Sequence, residues 1–140
     1  MGSAASGFNY GLFFRNELVA IASFSKGRKM KRLPGHLRSF ELIRFCSKDG
    51  ITVTGGLTKL VKNFCREKNA GDIMTYIDKQ FSDGASFAKA GFRKHGETPP
   101  LEFLIAKQSF EKKLYNGESY DPRKYHLVKN LGNIKMIFTP

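Results

Sequence analysis

The sequence predicts a single α+β domain, a mixed β-sheet with amphipathic helices on its faces. Three observations carry this. Apolar runs of strand length recur along the chain, one clean helical stripe sits between two of them, and glycine, proline or asparagine punctuates most of the joins. The 140 residues are 41% hydrophobic, enough for one domain with its own core. Thirteen Phe and no Trp predict that this core is rich in phenylalanine.

Residues 1–8 are small and flexible in character, a loose N-terminus or an expression remnant, and residues 9–140 form the domain. Tyr10–Phe14 and Leu18–Phe24 are apolar runs joined by the turn Arg15-Asn16-Glu17, the pattern of a β-hairpin. Ser25–Ser39 follows, broken by Gly27, Pro34 and Gly35 and read as an exposed loop. Phe40–Ser47 is a third strand, and Lys48-Asp49-Gly50 a turn. Ile51–Gly56 leads into a helix whose Leu57, Leu60, Val61, Phe64 and Cys65 share one face. Asn69 or Gly71 supplies its left-handed stop. Asp72–Ile77 is the next strand. A short helix capped by Ser82 or Asp83 runs through Ala90 to Gly91. Phe92–Thr98 starts a strand that Pro99-Pro100 interrupts, and Leu101–Phe110 is another. Asp121-Pro122 reads as the start of a third helix through Gly132, with Pro at the first helical position. Ile134–Phe138 closes the order β-β-β-α-β-α-β-α-β.

Charge narrows the function classes. The chain carries 24 Lys plus Arg against 12 Asp plus Glu, a net +12. Such a field attracts polyanions over about 8–10 Å in physiological salt. The loop concentrates it: Lys26, Arg28, Lys29, Lys31, Arg32 and Arg38 fall there with no acid between them. These six are the candidate contacts to DNA or RNA phosphates, although a merely solvated loop has the same composition. No apolar run approaches the ~18–20 residues of a membrane span, and no signal-peptide core is visible. Cys46 and Cys65 sit in apolar segments and suit a reducing cytoplasm. His36, His95 and His126 are scattered, with no metal-ligand spacing, so no metal is expected.

One stretch can hold a phosphate. Thr52–Thr58 (TVTGGLT) joins a strand to the amphipathic helix. A helix N-terminus presents unpaired N–H groups and partial positive charge, and glycines let a ligand approach the backbone. It has neither the P-loop nor the GxGxxG spacing, and taken alone it fits a tight packing turn equally well. Lys59 and Lys62 on the first polar turns of the helix either meet ligand phosphates or solubilise that face.

A second stretch, Asp83–Phe92 (DGASFAKAGF), follows the strand IMTYID. It resembles the end motif of the GNAT acyltransferase family, a strand and then a short helix closing in Y-x-K-x-G-F, here Phe87 to Phe92. With the glycine turn about 30 residues upstream, the resemblance spans Asn9 to about Phe110. It implies a GNAT-like α+β fold: a mixed, splayed sheet with helices on both faces, whose parted strands, Phe40–Ser47 and Asp72–Ile77, admit the pantetheine arm of acetyl-CoA or another acyl-CoA. It implies that Val53, Thr54, Gly55, Gly56, Leu57, Thr58 and Lys59 hold the pyrophosphate. Tyr76 and Asp78, at the end of the strand, are the candidate catalytic pair, Tyr76 to protonate a thiolate and Asp78 to accept a proton from an amine.

This chain departs from the family in three ways. Of the phosphate-loop positions Ile51, Thr54 and Gly56, only Gly56 matches. Phe87 stands where the family often has an acidic Tyr. The usual first strand and two helices have no room, so the chain is expected to begin at the family's second strand. Within the family the pattern YGLFF…ELVAIASF, ELIRFC, GG-x-x-KL and Y-x-D looks most like phage-type domains, with the DNA-modifying Mom proteins more distant. The expected function is acyl-CoA-dependent N-acyl transfer in association with nucleic acid. The alternative is an inactive GNAT-like scaffold that binds DNA or RNA through its basic surface. Neither His-Asn-His nor GIY-YIG signatures of endonucleases occur.

Overall fold

A computed structural model describes residues 7–51 and 53–140. The hairpin is β1 (Phe8–Phe14) and β2 (Glu17–Phe24). Arg15 and Asn16 turn it with φ of 51° and 63°, a two-residue loop whose left-handed backbone matches the twist of the strands. Pairing begins at Phe8, and the Gly7 N–H donates to the Phe24 carbonyl at 2.8 Å, so order starts before Asn9. β3 (Ser39–Ser47) lies antiparallel to β2. The helix α1 (Gly56–Lys68) then crosses to β4 (Asp72–Asp78), parallel to β3. Asn69, at φ 49°, gives the helix its left-handed stop. A short α2 (Ala85–Lys89) leads to β5 (Arg93–Thr98), and the chain ends on β9 (Asn133–Phe138). Between them β6 (Glu102–Ala106), β7 (Lys112–Leu114) and β8 (Tyr125–Lys129) form a separate small sheet. The main sheet runs β1-β2-β3-β4-β9-β5 and the small one β7-β6-β8.

The core lies on one face of the main sheet. Ala20, Ala22 and Phe24 of β2, Phe40 and Leu42 of β3, Ile73 and Ile77 of β4, and Met136 and Phe138 of β9 point the same way, as strand alternation requires. The predicted stripe of α1 packs down on them, with Leu57, Leu60, Val61, Phe64 and Cys65 all buried. Phe64 is its centre. Its ring stacks on Phe24 at 3.9 Å and meets Phe40 edge-on at 5.0 Å and Tyr10 at 5.4 Å. The phenylalanine-rich core expected from composition is this cluster.

A second anchor fastens the start of β4. Asp72 is 3% exposed, and its carboxylate accepts two hydrogen bonds from Arg32, at 2.7 and 3.1 Å, and one from Ser39 Oγ at 2.5 Å. Arg32 Nη2 also donates to Ser39 Oγ at 3.0 Å. Removing Arg32 would leave the buried Asp72 carboxylate without its charge partner, the costly case for an ion pair, whereas Arg32 itself still reaches solvent.

The fold class is the one anticipated, with differences in detail. The helix expected over 121–132 is absent. Asp121 accepts the N–H of Arg123 on its side chain and those of Lys124 and Tyr125 on its carbonyl, so a single turn forms. Tyr125–Lys129 then pairs as β8 along β6, where its aromatic and β-branched residues gain cross-strand partners. The strand expected over Leu101–Phe110 stops at Ala106, and Phe110 takes a left-handed φ of 59°. The helices do not flank the sheet on both faces. Gly84, at the start of α2, sits against Ile77 and Met136, and Phe87 packs on the same core as α1. Both described helices therefore cover one face, because Phe87, Phe92 and Phe138 form one apolar cluster there.

Two outcomes test this core. Phe64→Ala should destabilise the chain by about 3–5 kcal/mol in urea unfolding, since it removes the ring that Phe8, Tyr10, Phe24 and Phe40 all contact. Burial, then the nearby charge of Asp72, pushes the Cys65 thiol up to about 11, whereas Cys46 is exposed. A thiol reagent at neutral pH should modify Cys46 in the folded protein and reach Cys65 only on unfolding.

Candidate functional site

The parallel ladder between β3 and β4 is short. Ser39, Phe40 and Glu41 pair with Asp72, Ile73 and Met74, and then the register ends, although β3 continues to Ser47 and β4 to Asp78. Where the next backbone bond would fall, the hydroxyl of Thr75 donates to the Leu42 carbonyl at 3.1 Å. A side chain bridges the widening gap, and beyond it the strands part. The expected splay of Phe40–Ser47 from Asp72–Ile77 is thus present and opens toward the C-terminal ends of both strands.

The glycine turn lies at that open end. Gly55 caps α1 with φ 71°, and a Cβ there would meet nothing within 4 Å, so this backbone is open to an incoming group. Gly56 differs. It is buried, and a Cβ would come within 3.0 Å of Val53 and 3.3 Å of Leu12. Gly55 serves conformation and access, and Gly56 serves close packing. The Gly56 and Lys59 amides already donate to the Val53 and Gly55 carbonyls. The amides of Leu57 and Thr58 fall in the first turn, where helix geometry offers no internal acceptor, and the helix dipole adds positive charge. Leu57 itself is a core side chain, so it can offer only its amide. Thr52, part of the same predicted turn, lies outside the described residues.

Val53, Thr54, Gly55, Gly56 and Lys59 also line a cleft of about 640 Å³. Its other wall is the hairpin tip, Leu12, Phe13, Phe14 and Arg15, with Val19. No residue of β4 lines it, so the cleft flanks the α1 end from the hairpin side. The two phenylalanines there are 65% and 62% exposed, and the Arg15 guanidinium lies 5.2 Å from the Phe14 ring centre. Nothing in the sequence distinguished these tip residues from ordinary strand residues.

Tyr76 and Asp78 fall two apart on β4, on one face, about 7 Å from each other along the strand. That face is the one away from α1. Tyr76 is half-buried opposite Lys135, and Asp78 Oδ1 accepts the Gln80 N–H at 2.9 Å. Phe87 is a packing residue, edge-on to Phe92 at 5.6 Å.

The six cations expected to meet nucleic acid are not equivalent. Arg32 is held by Asp72, so its charge is offset by a buried carboxylate. Arg28 lies 3.7 Å from Glu41, and Arg38 is tied to the Gly35 and Leu37 carbonyls. Lys26, Lys29 and Lys31 remain exposed. A run the sequence analysis left out, Arg93-Lys94-His95 on β5, joins Arg32 around a second cleft of about 750 Å³. Its signal was legible as three basic residues in a row on an edge strand. Among the described residues no group of three or more His, Cys, Asp or Glu could hold a metal ion, and no helix is long and apolar enough to cross a membrane.

No family model matches the sequence, and no curated protein matches it. Solved structures do match in fold. A Bacillus subtilis acetyltransferase in complex with CoA superposes with a TM-score of 0.57 at 13% identity, over 94% of this chain and 76% of that one. A GNAT family acetyltransferase from Elizabethkingia anophelis with acetyl-CoA bound gives 0.57 at 13% identity, over 96% and 77%. The fold of this chain is that of the GNAT acetyltransferases.

The division of labour between the glycines is testable. Gly55→Ala should cost about 1–2 kcal/mol through its positive φ alone, and Gly55→Asn less, because Asn tolerates that region. Gly56→Val should cost about 1–3 kcal/mol by overpacking against Val53 and Leu12, with no relief from Asn. Urea unfolding of the variants separates the two causes.

Proposed function

We propose that this chain binds an acyl-CoA where β3 and β4 part and transfers the acyl group to an amine. The observation that carries the reading is the early end of the β3–β4 ladder, with an open glycine turn and a helix N-terminus beside its mouth. The CoA and acetyl-CoA held by the two similar structures support it. The Leu57 and Thr58 amides receive the pyrophosphate, Gly55 gives it room, and Lys59 adds charge.

An acyl-CoA supplies a thioester carbonyl open to attack. In the transfer the amine nitrogen bonds that carbon and the carbon–sulfur bond breaks. Asp78 takes the proton that leaves the amine, and the Tyr76 phenol gives one to the departing sulfur. Both stand on the face that carries neither described helix, from which an amine can approach.

Phe87 favours a second reading. A phenyl ring cannot donate a proton, and here it is committed to Phe92. On that reading the fold is an inactive scaffold whose basic surface binds DNA or RNA. The net +12 supports nucleic acid as a partner in either case. The phage-type likeness, with Mom proteins more distant, rests on the sequence pattern, and a cytoplasmic setting on the two free thiols.

Calorimetric titration with CoA and acetyl-CoA decides between the readings. Micromolar binding, weakened about tenfold by Lys59→Glu, supports the first. Tyr76→Phe should then lower turnover roughly 100-fold with CoA affinity unchanged. A folded protein that binds neither ligand would overturn the acyl-transfer reading and leave the scaffold.

A further inference from the structure

The closed end of the sheet, about 20 Å along β4 from the proposed acyl site, carries the second cleft. Two basic runs far apart in sequence meet there. Arg32 and Leu33 come from the loop between β2 and β3, and Arg93, Lys94 and His95 from β5. Leu33 also lines an adjoining cleft with Lys29 and Lys31, so the two hollows form one continuous surface.

The charges on it are unequal. Arg32 is paired with Asp72, which offsets its charge. Lys94 donates to Glu97, as does Lys79, and these bonds hold the Glu97 carboxyl down at about 2, so it stays ionised and offsets them. Lys29, Lys31 and Arg93 are exposed, and among the described residues no carboxylate pairs with them. Three uncancelled cations thus rim a groove whose one acid, Asp72, is already spent. No Phe, Tyr or Trp lines either hollow, and His95 is the one aromatic ring there, so the surface lacks the row of ring faces on which single-strand binders stack successive bases.

We propose that this face, with Lys29, Lys31 and Arg93 as its contacts, grips the phosphate backbone of a nucleic-acid duplex. It gives the nucleic-acid association a location and moves it from the loop alone to the junction of the loop with β5. It does not depend on acyl transfer, because the two sites stand at opposite ends of β4. The contacts are to phosphate, so binding is not sequence-specific.

Fluorescence anisotropy with a duplex DNA of about 20 base pairs tests it, from about 50 to 200 mM salt. Three phosphate contacts predict a slope of log affinity on log salt of about −2.7, a loss of roughly 40-fold across that range. Lys31→Glu with Arg93→Glu should weaken binding at least about tenfold and flatten the slope to about −1. Lys107→Glu with Lys124→Glu, the same charge change beside the small sheet, should leave the slope near that of the parent. Equal losses in both variants would overturn the location, since net charge alone would then explain binding. A single strand bound as tightly as the duplex, or phosphatidylserine vesicles bound in preference to it, would overturn the partner. Both variants remain exposed-site changes, and circular dichroism confirms their folding. CoA titration of the same samples keeps a failure here distinct from a failure of the acyl-transfer reading.

Discussion

Asp72 is a charged residue with almost no exposure, and the fold keeps it so by surrounding its carboxylate with Arg32 and Ser39. Ser39 is the first residue of β3 and Asp72 the first of β4, so this lock fastens the two parallel strands at one end. From there the ladder closes three pairs and stops. Thr75 spans the last step with its hydroxyl rather than its backbone. Without the lock, three parallel pairs would be a weak reason for these strands to stay neighbours, since parallel pairing is slightly less stable per residue. With it, the closed end is rigid and the open end can part, which is what the proposed ligand path requires.

The core explains why the parted strands do not collapse onto each other. Phe64 of α1 sits over β2 and β3 through Phe24 and Phe40, while Ile77, Met136 and Phe92 form the other wing under α2. Each side of the split has its own apolar support. The helix that bridges them also delivers its N-terminus to the mouth, so one element both holds the core and presents the dipole. The opposite face carries Tyr76 and Asp78, both half-buried, with neither described helix above them.

Charge is partitioned with similar economy. Some cations are internal fittings, as Arg32 is to Asp72, and some are held by neighbouring acids, as Lys94 is by Glu97. A count of basic residues in one loop could not make that distinction. Position relative to carboxylates far away in sequence decides which cations remain available for a polyanion.

Much was legible from residues alone. The hairpin, the α1 stripe, its stop at Asn69 or Gly71 and the strand order through β4 follow from local periodicity and turn chemistry, which act over a few residues. The glycine turn was recognisable too, and so was its place at a helix start. The helix expected after Pro122 failed because its start signal was spent on one isolated turn, and cross-strand partners in β6 then outweighed local preference. Only the tertiary structure could settle the rest. That Arg32 pairs with the buried Asp72, that Arg93 joins Lys31 on one surface, and that β3 and β4 part after Glu41 and Met74 all depend on residues more than 15 positions apart. The sequence by itself determined the strands and helices through β4, because those choices are local. The packing of those segments determined where they separate and which charges stay free, because both depend on contacts that exist only once the chain has folded.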